Sequence, residues 1–187
     1  MVEHPNLEKH QAPDIMNRVG ILTVSDRSSR GERADESGPL LRQMVERRGW
    51  SVECASIAPD DSPSIQAVLI DWADKAHLDL VLTTGGTGFA PRDVTPEATR
   101  AVIERQAPGL AEAMRAASLL KTPHAMLSRA VCGIRGRTLI VNLPGSSKAA
   151  RENLETILPA LPHAIALLQE SPDSERGHQI PSFKSQI

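Results

Sequence analysis

Aromatic residues are almost missing from this chain. Two Trp, two Phe and no Tyr make up 2% of its 187 residues. Proteins that hold single-stranded nucleic acid stack bases on aromatic rings, and here there is almost nothing to stack on. An excess of either charge is missing too: 21 Lys and Arg face 23 Asp and Glu, a formal net charge of -2. That balance excludes a nucleic-acid binder that works through its overall basic charge. No apolar run approaches the ~20 residues that cross a bilayer. The N-terminal stretch is polar and carries no apolar signal core. The two cysteines, Cys54 and Cys132, lie far apart in apolar-leaning segments, where free buried thiols in a reducing cytoplasm are expected. The six histidines show no pair at metal-ligand spacing, so no zinc site is expected. What is present is ordinary for a soluble globular domain: 40% apolar and 24% charged residues, in a chain long enough for one substantial core.

Residues 1–17 and 171–187 are polar, carry prolines and lack periodicity, so both read as mobile tails around one domain at 18–170. Val19 to Val24 is a nearly continuous apolar run, as in a strand covered on both faces. Ser37 is placed to cap a helix whose apolar face is Leu40, Leu41, Met44 and Val45. Gly49 stands where a left-handed helix end belongs, with Trp50 as its apolar partner. A second strand covers Val52, Cys54 and Ile57. A helix follows, with Ser62 as cap, Pro63 at its first position, and Ile65, Val68, Leu69, Trp72 and Ala76 on its inner face. Leu78 to Leu82 is a third strand. Helices are expected at 96–106 and 109–120, then strands at 129–134 and 137–141 meeting at Arg135-Gly136. The last apolar face runs from Leu154 to Leu168, broken by Pro159 and Pro162. Alternating strands and helices predict a mostly parallel sheet covered on both faces, with a ligand beyond the carboxyl ends of the strands.

Three of those strand ends carry polar loops: Ser25-Asp26, residues 83–93, and Asn142 to Lys148. The turn at Pro59-Asp60 is a fourth candidate wall. The longest is Thr83-Thr84-Gly85-Gly86-Thr87-Gly88-Phe89-Ala90-Pro91-Arg92-Asp93, closed by the helix start Thr95-Pro96-Glu97. Glycine lets a backbone turn its N–H groups toward one point and hold an anion. The same glycines serve a tight βα connection. No Gly-Lys-Ser/Thr ends the loop, so it is not a Walker loop, and Pro91 stands where a dinucleotide fingerprint needs its third glycine. Taken singly, Asp60 and Asp93 are ordinary turn or helix-start residues. Taken together on neighbouring strand ends they suit Mg²⁺ on a nucleotide. The amides after Pro144, with Gly145 and Ser146, either cap a helix or hold a phosphate with help from Lys148 or Arg151.

The 83–97 string, together with Leu127-Ser128-Arg129, Gly133-Ile134-Arg135-Gly136 and Asn142-Leu143-Pro144-Gly145-Ser146, resembles one family. It looks like the molybdopterin adenylyltransferases: the MogA/MoaB-type proteins and the G domains of gephyrin and its plant counterparts. The loop string and Leu158-Pro159-Ala160-Leu161-Pro162-His163-Ala164-Ile165 point to the G-domain branch. The resemblance covers about residues 18–169. It implies a three-layer α/β/α fold with a mostly parallel central sheet, the molybdenum cofactor biosynthesis protein fold, usually a homotrimer. The implied reaction joins AMP from Mg-ATP to the terminal phosphate of molybdopterin and releases pyrophosphate. The product would go to a molybdenum insertase.

In that family two aspartates are tied to catalysis, and they fall on Asp60 and Asp93, which would also hold the Mg²⁺. Ser25 and Asp26 match its Ser-Asp, and Asp35-Glu36-Ser37-Gly38 approximates its Asp-x-Ser-Gly. Thr84, Gly85, Gly86, Thr87, Gly88, Gly145 and Ser146 would contact nucleotide or substrate, with Arg92 offsetting leaving-group charge. The charged loop at 27–36 does not align, and Ser147 stands where relatives often have Lys or Pro. A carrier that binds molybdopterin without transferring AMP is the alternative reading, and a competence-damage-type enzyme on the same fold is a second.

Overall fold

The computed structural model describes residues 17–171. The expected tails lie outside that range, except for Asn17 and Ser171. β1 (Arg18–Val24), β2 (Ser51–Ala58), β3 (Leu80–Thr84) and β6 (Thr138–Leu143) form the parallel part of a six-stranded sheet. Its order is β2-β1-β3-β6-β5-β4. β4 (Arg105–Gln106) and β5 (Cys132–Arg135) complete it as antiparallel strands at the far edge. β3 and β6 are buried along their whole length, and β1 from its second residue on. Continuous apolar runs belong in such doubly covered strands. β2 lies at the edge and leaves Ala55, Ser56 and Ile57 exposed.

Two helical layers cover the sheet. One face carries α2 (Ser37–Glu46), α5 (Pro108–Leu119), α6 (Ser147–Ile157) and α7 (Leu161–Leu168). Leu41, Val45, Met114, Leu154 and Ile165 pack there against Val19, Ile21, Leu82 and Val141. The other face carries α3 (Ser62–Asp74) and α4 (Thr95–Val102). Ile65, Leu69, Trp72, Ala98 and Val102 meet Leu22, Val24, Val81 and Ile140 there. Residues 19, 21 and 22, 24 of β1 thus feed opposite layers, as the pleat requires. Burying each such side chain contributes about 1.5–3 kcal/mol. Trp72 packs against Gly20, where a Cβ would stand 2.5 Å from the ring. This is the expected three-layer α/β/α arrangement with a mostly parallel sheet.

The helix starts differ from expectation in an instructive way. Ser37 does not cap α2. Asp35 does, accepting hydrogen bonds from the N–H groups of Ser37 and Gly38 at 3.1 and 3.0 Å. The N-cap of α3 is Asp61, whose carboxylate accepts from Ser64 N at 2.9 Å, so Ser62 is already helical. The Ser64 hydroxyl, which donates to the same carboxylate at 2.6 Å, and then this backbone contact hold the Asp61 carboxyl below its usual range. A carboxylate two residues upstream of Ser37, and one residue upstream of Ser62, outcompetes the hydroxyl because it is the stronger acceptor. Gly49 adopts φ +77 as expected, and Trp50 folds into the core beside Val45.

The helix expected over 96–106 ends at Val102 instead. Ile103 is extended, Glu104 N donates to Ile134 O at 2.8 Å, and Arg105 pairs with Ile134 as β4. Gly133 makes this possible: a Cβ there would stand 2.4 Å from Ile103 Cδ1. The proline break comes as expected, with α6 ending at Ile157 and α7 starting at Leu161. Cys132 is buried and its thiol is pushed up to about 12 by burial, whereas Cys54 is half-buried, less than expected. Both are free. No helix among the described residues is long and apolar enough to cross a membrane.

Candidate active site

The carboxyl ends of β1, β2, β3 and β6 open into one cleft of about 670 Å³. After β1 the chain caps itself. Ser25 Oγ accepts from Ser28 N at 3.2 Å and starts α1 (Asp26–Ser29), a turn of helix where a plain loop was expected. After β2 comes Asp60. The two ends are tied by a reciprocal pair: Asp60 Oδ2 accepts from Asp26 N, and Asp26 Oδ1 accepts from Asp60 N, both at 2.9 Å. Each carboxylate therefore satisfies a backbone donor that a strand end leaves open, and both residues line the cleft.

After β3 the chain takes the long glycine loop. Gly85 has φ +110, and a Cβ there would stand 2.2 Å from Val24 O. Gly86 has φ +61, with Thr95 Oγ1 2.4 Å from its missing Cβ. Only glycine permits both the backbone angle and the approach. Farther along, Asp93 folds back on its own loop: Oδ2 accepts from Ala90 N at 2.9 Å, and Asp93 N donates to Ala90 O at 2.8 Å. Asp93 Oδ1 accepts no hydrogen bond among the described residues. The loop after β6 is short. Gly145 packs against Gly85 Cα at 3.1 Å from its own missing Cβ, and Ser146 caps α6 with a long contact from Ala149 N, 3.5 Å.

The expected residues divide by position. Ser25, Asp26, Asp60, Gly85, Gly86, Asp93, Gly145 and Ser146 line the one cleft, and Arg92 joins them. Thr84 is 1% exposed and its hydroxyl donates to Pro144 O at 2.7 Å, joining the two glycine loops. It reaches only the adjoining 270 Å³ recess with Arg33, Asp35 and Ser37. Thr87 and Gly88 line a separate 270 Å³ pocket beside Lys121 and Asn153. Asn142, within a candidate loop, is fully buried. Its Nδ2 donates to Thr83 Oγ1 and Thr99 Oγ1 at 3.0 and 2.9 Å, and its Oδ1 accepts from Val131 N at 3.2 Å.

Sequence reasoning missed three arginines. Arg27, Arg30 and Arg33 come from the unaligned 27–36 loop and join Arg92 around the cleft. Arg30 is paired with Glu32 at 2.7 Å, which raises the guanidinium and lowers the carboxyl. The side chains of Arg33 and Arg92 have no hydrogen-bond or ion-pair partner among the described residues. Four arginines against three aspartates on a protein of net charge -2 make a local field suited to anions. The signal was available as an Arg-x-x-Arg-x-x-Arg spacing after β1.

The donors also bear on a metal. Hard carboxylate oxygens at Asp60 and Asp93 suit Mg²⁺. Among the described residues no group of three or more His, Cys, Asp or Glu forms a ready cage. Two protein carboxylates with the remaining positions left to phosphate oxygens and water is how Mg²⁺ is held on a nucleotide, so the residues fit it.

The chain matches residues 20–163 of its length to the family described as "Probable molybdopterin binding domain". It is 47% identical over 166 residues to "Gephyrin" of Dictyostelium discoideum, covering 83% of this chain but only 23% of that protein. It is 43% identical over 152 residues to "Molybdopterin adenylyltransferase" of Helicobacter pylori, covering 80% of this chain and 86% of the relative. Among solved structures, the molybdopterin biosynthesis enzyme MoaB of Thermus thermophilus superposes with a TM-score of 0.80 at 56% identity, over 84% of this chain and 99% of that one. The family match spans most of the chain, and the solved relative shares its fold: the chain belongs to the molybdopterin-binding domain family.

Proposed function

We propose that this protein is a molybdopterin adenylyltransferase of molybdenum cofactor biosynthesis. The observation that carries this reading is the cleft itself: Asp60 and Asp93, from different strand ends, line one space rimmed by arginines. Relatives bearing that name, 43–46% identical over most of the chain, support it.

The terminal phosphate of molybdopterin attacks the α-phosphorus of ATP. A new phosphorus–oxygen bond forms, the bond to the bridging β-phosphate oxygen breaks, and pyrophosphate leaves with the electron pair. Two polyanions must meet, so catalysis is chiefly positioning and charge neutralisation. Asp60 and Asp93 would hold Mg²⁺, which when bound spreads the phosphate charge. Asp26 locks Asp60 in place through the paired backbone bonds. The Gly85 amide is taken up by Leu143 O at 3.2 Å, so the amide of Gly86 and those at the start of α6 would face the phosphates. Arg33 and Arg92 offset charge on the reacting and leaving phosphates. On this reading the protein works in the cytoplasm as a homotrimer and hands its product to a molybdenum insertase.

The test is direct. Full-length protein incubated with molybdopterin and Mg-ATP is expected to give adenylylated molybdopterin and one pyrophosphate per turnover, both resolved by chromatography. Bound molybdopterin without either product would replace the transferase with a carrier.

A further inference from the structure

Arg129 lies outside the cleft, in the stretch between the 3-10 turn at Pro123–Leu127 and β5, yet it touches the glycine loop at three points and α4 at a fourth. Its backbone N donates to Thr87 O at 2.9 Å. Its Nε donates to Gly88 O at 2.7 Å, its Nη2 to Asp93 O, and its Nη1 pairs with Glu97 at 2.5 Å. One planar guanidinium thus grips both arms of the turn whose tip is Ala90-Pro91-Arg92, and the first turn of α4 as well.

The base of this grip is itself held. Asn142, fully buried, exchanges hydrogen bonds with the backbone of Val131. Arg115 Nη1 donates to Ala130 O at 3.1 Å. The loop, in contrast, has little support of its own. Phe89, Pro91 and Arg92 are exposed, and its internal bonds near the tip are the Asp93–Ala90 pair. Arg129 thus holds a carbonyl on each side of the tip, and the Ala90 N–H holds the Asp93 carboxylate between them.

We propose that Arg129 is the positioning residue for Asp93: its guanidinium bridges the carbonyls of Gly88 and Asp93 and so fixes the carboxylate for phosphoryl chemistry. The inference rests on the transferase reading above. Lysine carries the same charge but lacks the planar fork that reaches three acceptors at once. The geometry, not the charge, is therefore the property under test.

The experiment compares Arg129→Lys and Arg129→Gln with the unaltered full-length protein. Displacing a catalytic group by about an ångström costs about 10²-fold, so kcat is expected to fall by that order in both variants, with KM for molybdopterin changing less. The Mg²⁺ concentration for half-maximal rate is expected to rise. In metal-free protein, amides of residues 87–94 are expected to exchange faster with solvent, while those of β1 and β3 keep their protection. Arg129→Lys with an unchanged kcat and Mg²⁺ requirement would overturn the inference. Loss of protection across β1 and β3 along with the loop would overturn it too, by making Arg129 a general support of the fold. If the unaltered protein forms no adenylate, the transferase reading fails, and the exchange measurement alone then decides whether Arg129 orders the loop.

Discussion

The two glycine loops of the cleft meet backbone to backbone, Gly85 against Gly145, yet they are held in opposite ways. The loop from β6 to α6 is three residues, Pro144-Gly145-Ser146, and its own serine caps the helix that follows. The loop from β3 to α4 is ten residues, Gly85 to Val94, and no side chain caps its helix. Its shape comes from elsewhere in the chain: Val24 O beneath Gly85, Thr95 beside Gly86, and Arg129 across its arms. A short turn has few conformations, and local residues select one. A long loop loses more entropy on ordering and needs anchors from distant sequence.

That contrast is open to direct tests. Gly85→Ala must accept φ +110 and a Cβ 2.2 Å from Val24 O. Strain of about 1–3 kcal/mol and overpacking of a further 1–3 kcal/mol predict a large fall in the denaturation midpoint. Gly145→Ala meets its nearest atom at 3.1 Å, with no unusual φ, and should lose about 1 kcal/mol or less. Equal losses would break the comparison, because the two loops would then be equally constrained.

Asp93→Asn keeps size and removes charge. Adenylate formation should fall by about 10²-fold or more, as when one preorganised electrostatic group is lost, while the midpoint of thermal unfolding stays in place. Full activity would remove Asp93 from the metal and from the mechanism.

Thr84→Val removes the hydroxyl that joins the loops and leaves Pro144 O unpaired. The expected loss is about 1–2 kcal/mol, read as a shift in urea midpoint with an unchanged slope. A neutral result would mean that the glycine contact alone couples the loops. Ser146→Ala removes a cap whose hydrogen bond is already long at 3.5 Å. About 0.5 kcal/mol, the low end for a cap, is expected. A larger loss would show that the short loop depends on Ser146 more than its geometry indicates.

Several features were legible in the linear order of residues. Val19 to Val24 and Leu139 to Val141 read as buried strands because continuous apolar runs have few other homes. Gly49 read as a helix end because φ +77 excludes most side chains. Asp60, Asp93 and the glycines of 83–88 were recognisable because their spacing is a local pattern. Arg27, Arg30 and Arg33 show a regular spacing, but a charged loop reads as solvent-facing until the strand order shows what it borders. β4 was missed because Arg105 and Gln106 follow a helical pattern, and only pairing with Gly133 and Ile134 makes them a strand.

The residues alone determined the α/β class, the position of both glycine loops at strand ends, and Asp60 and Asp93 as candidates on neighbouring strand-end loops. These depend on periodicity, on glycine's freedom at positive φ, and on side-chain chemistry, all of which are local. The tertiary structure decided that Thr87 and Gly88 line a different pocket from Gly85 and Gly86, that Asn142 is a buried latch, and that Arg129 holds the loop bearing Asp93. Each of these is a contact between residues dozens of positions apart, or a direction set by such contacts. No local pattern records them, because the energy that selects them exists only once the sheet has brought the strand ends together.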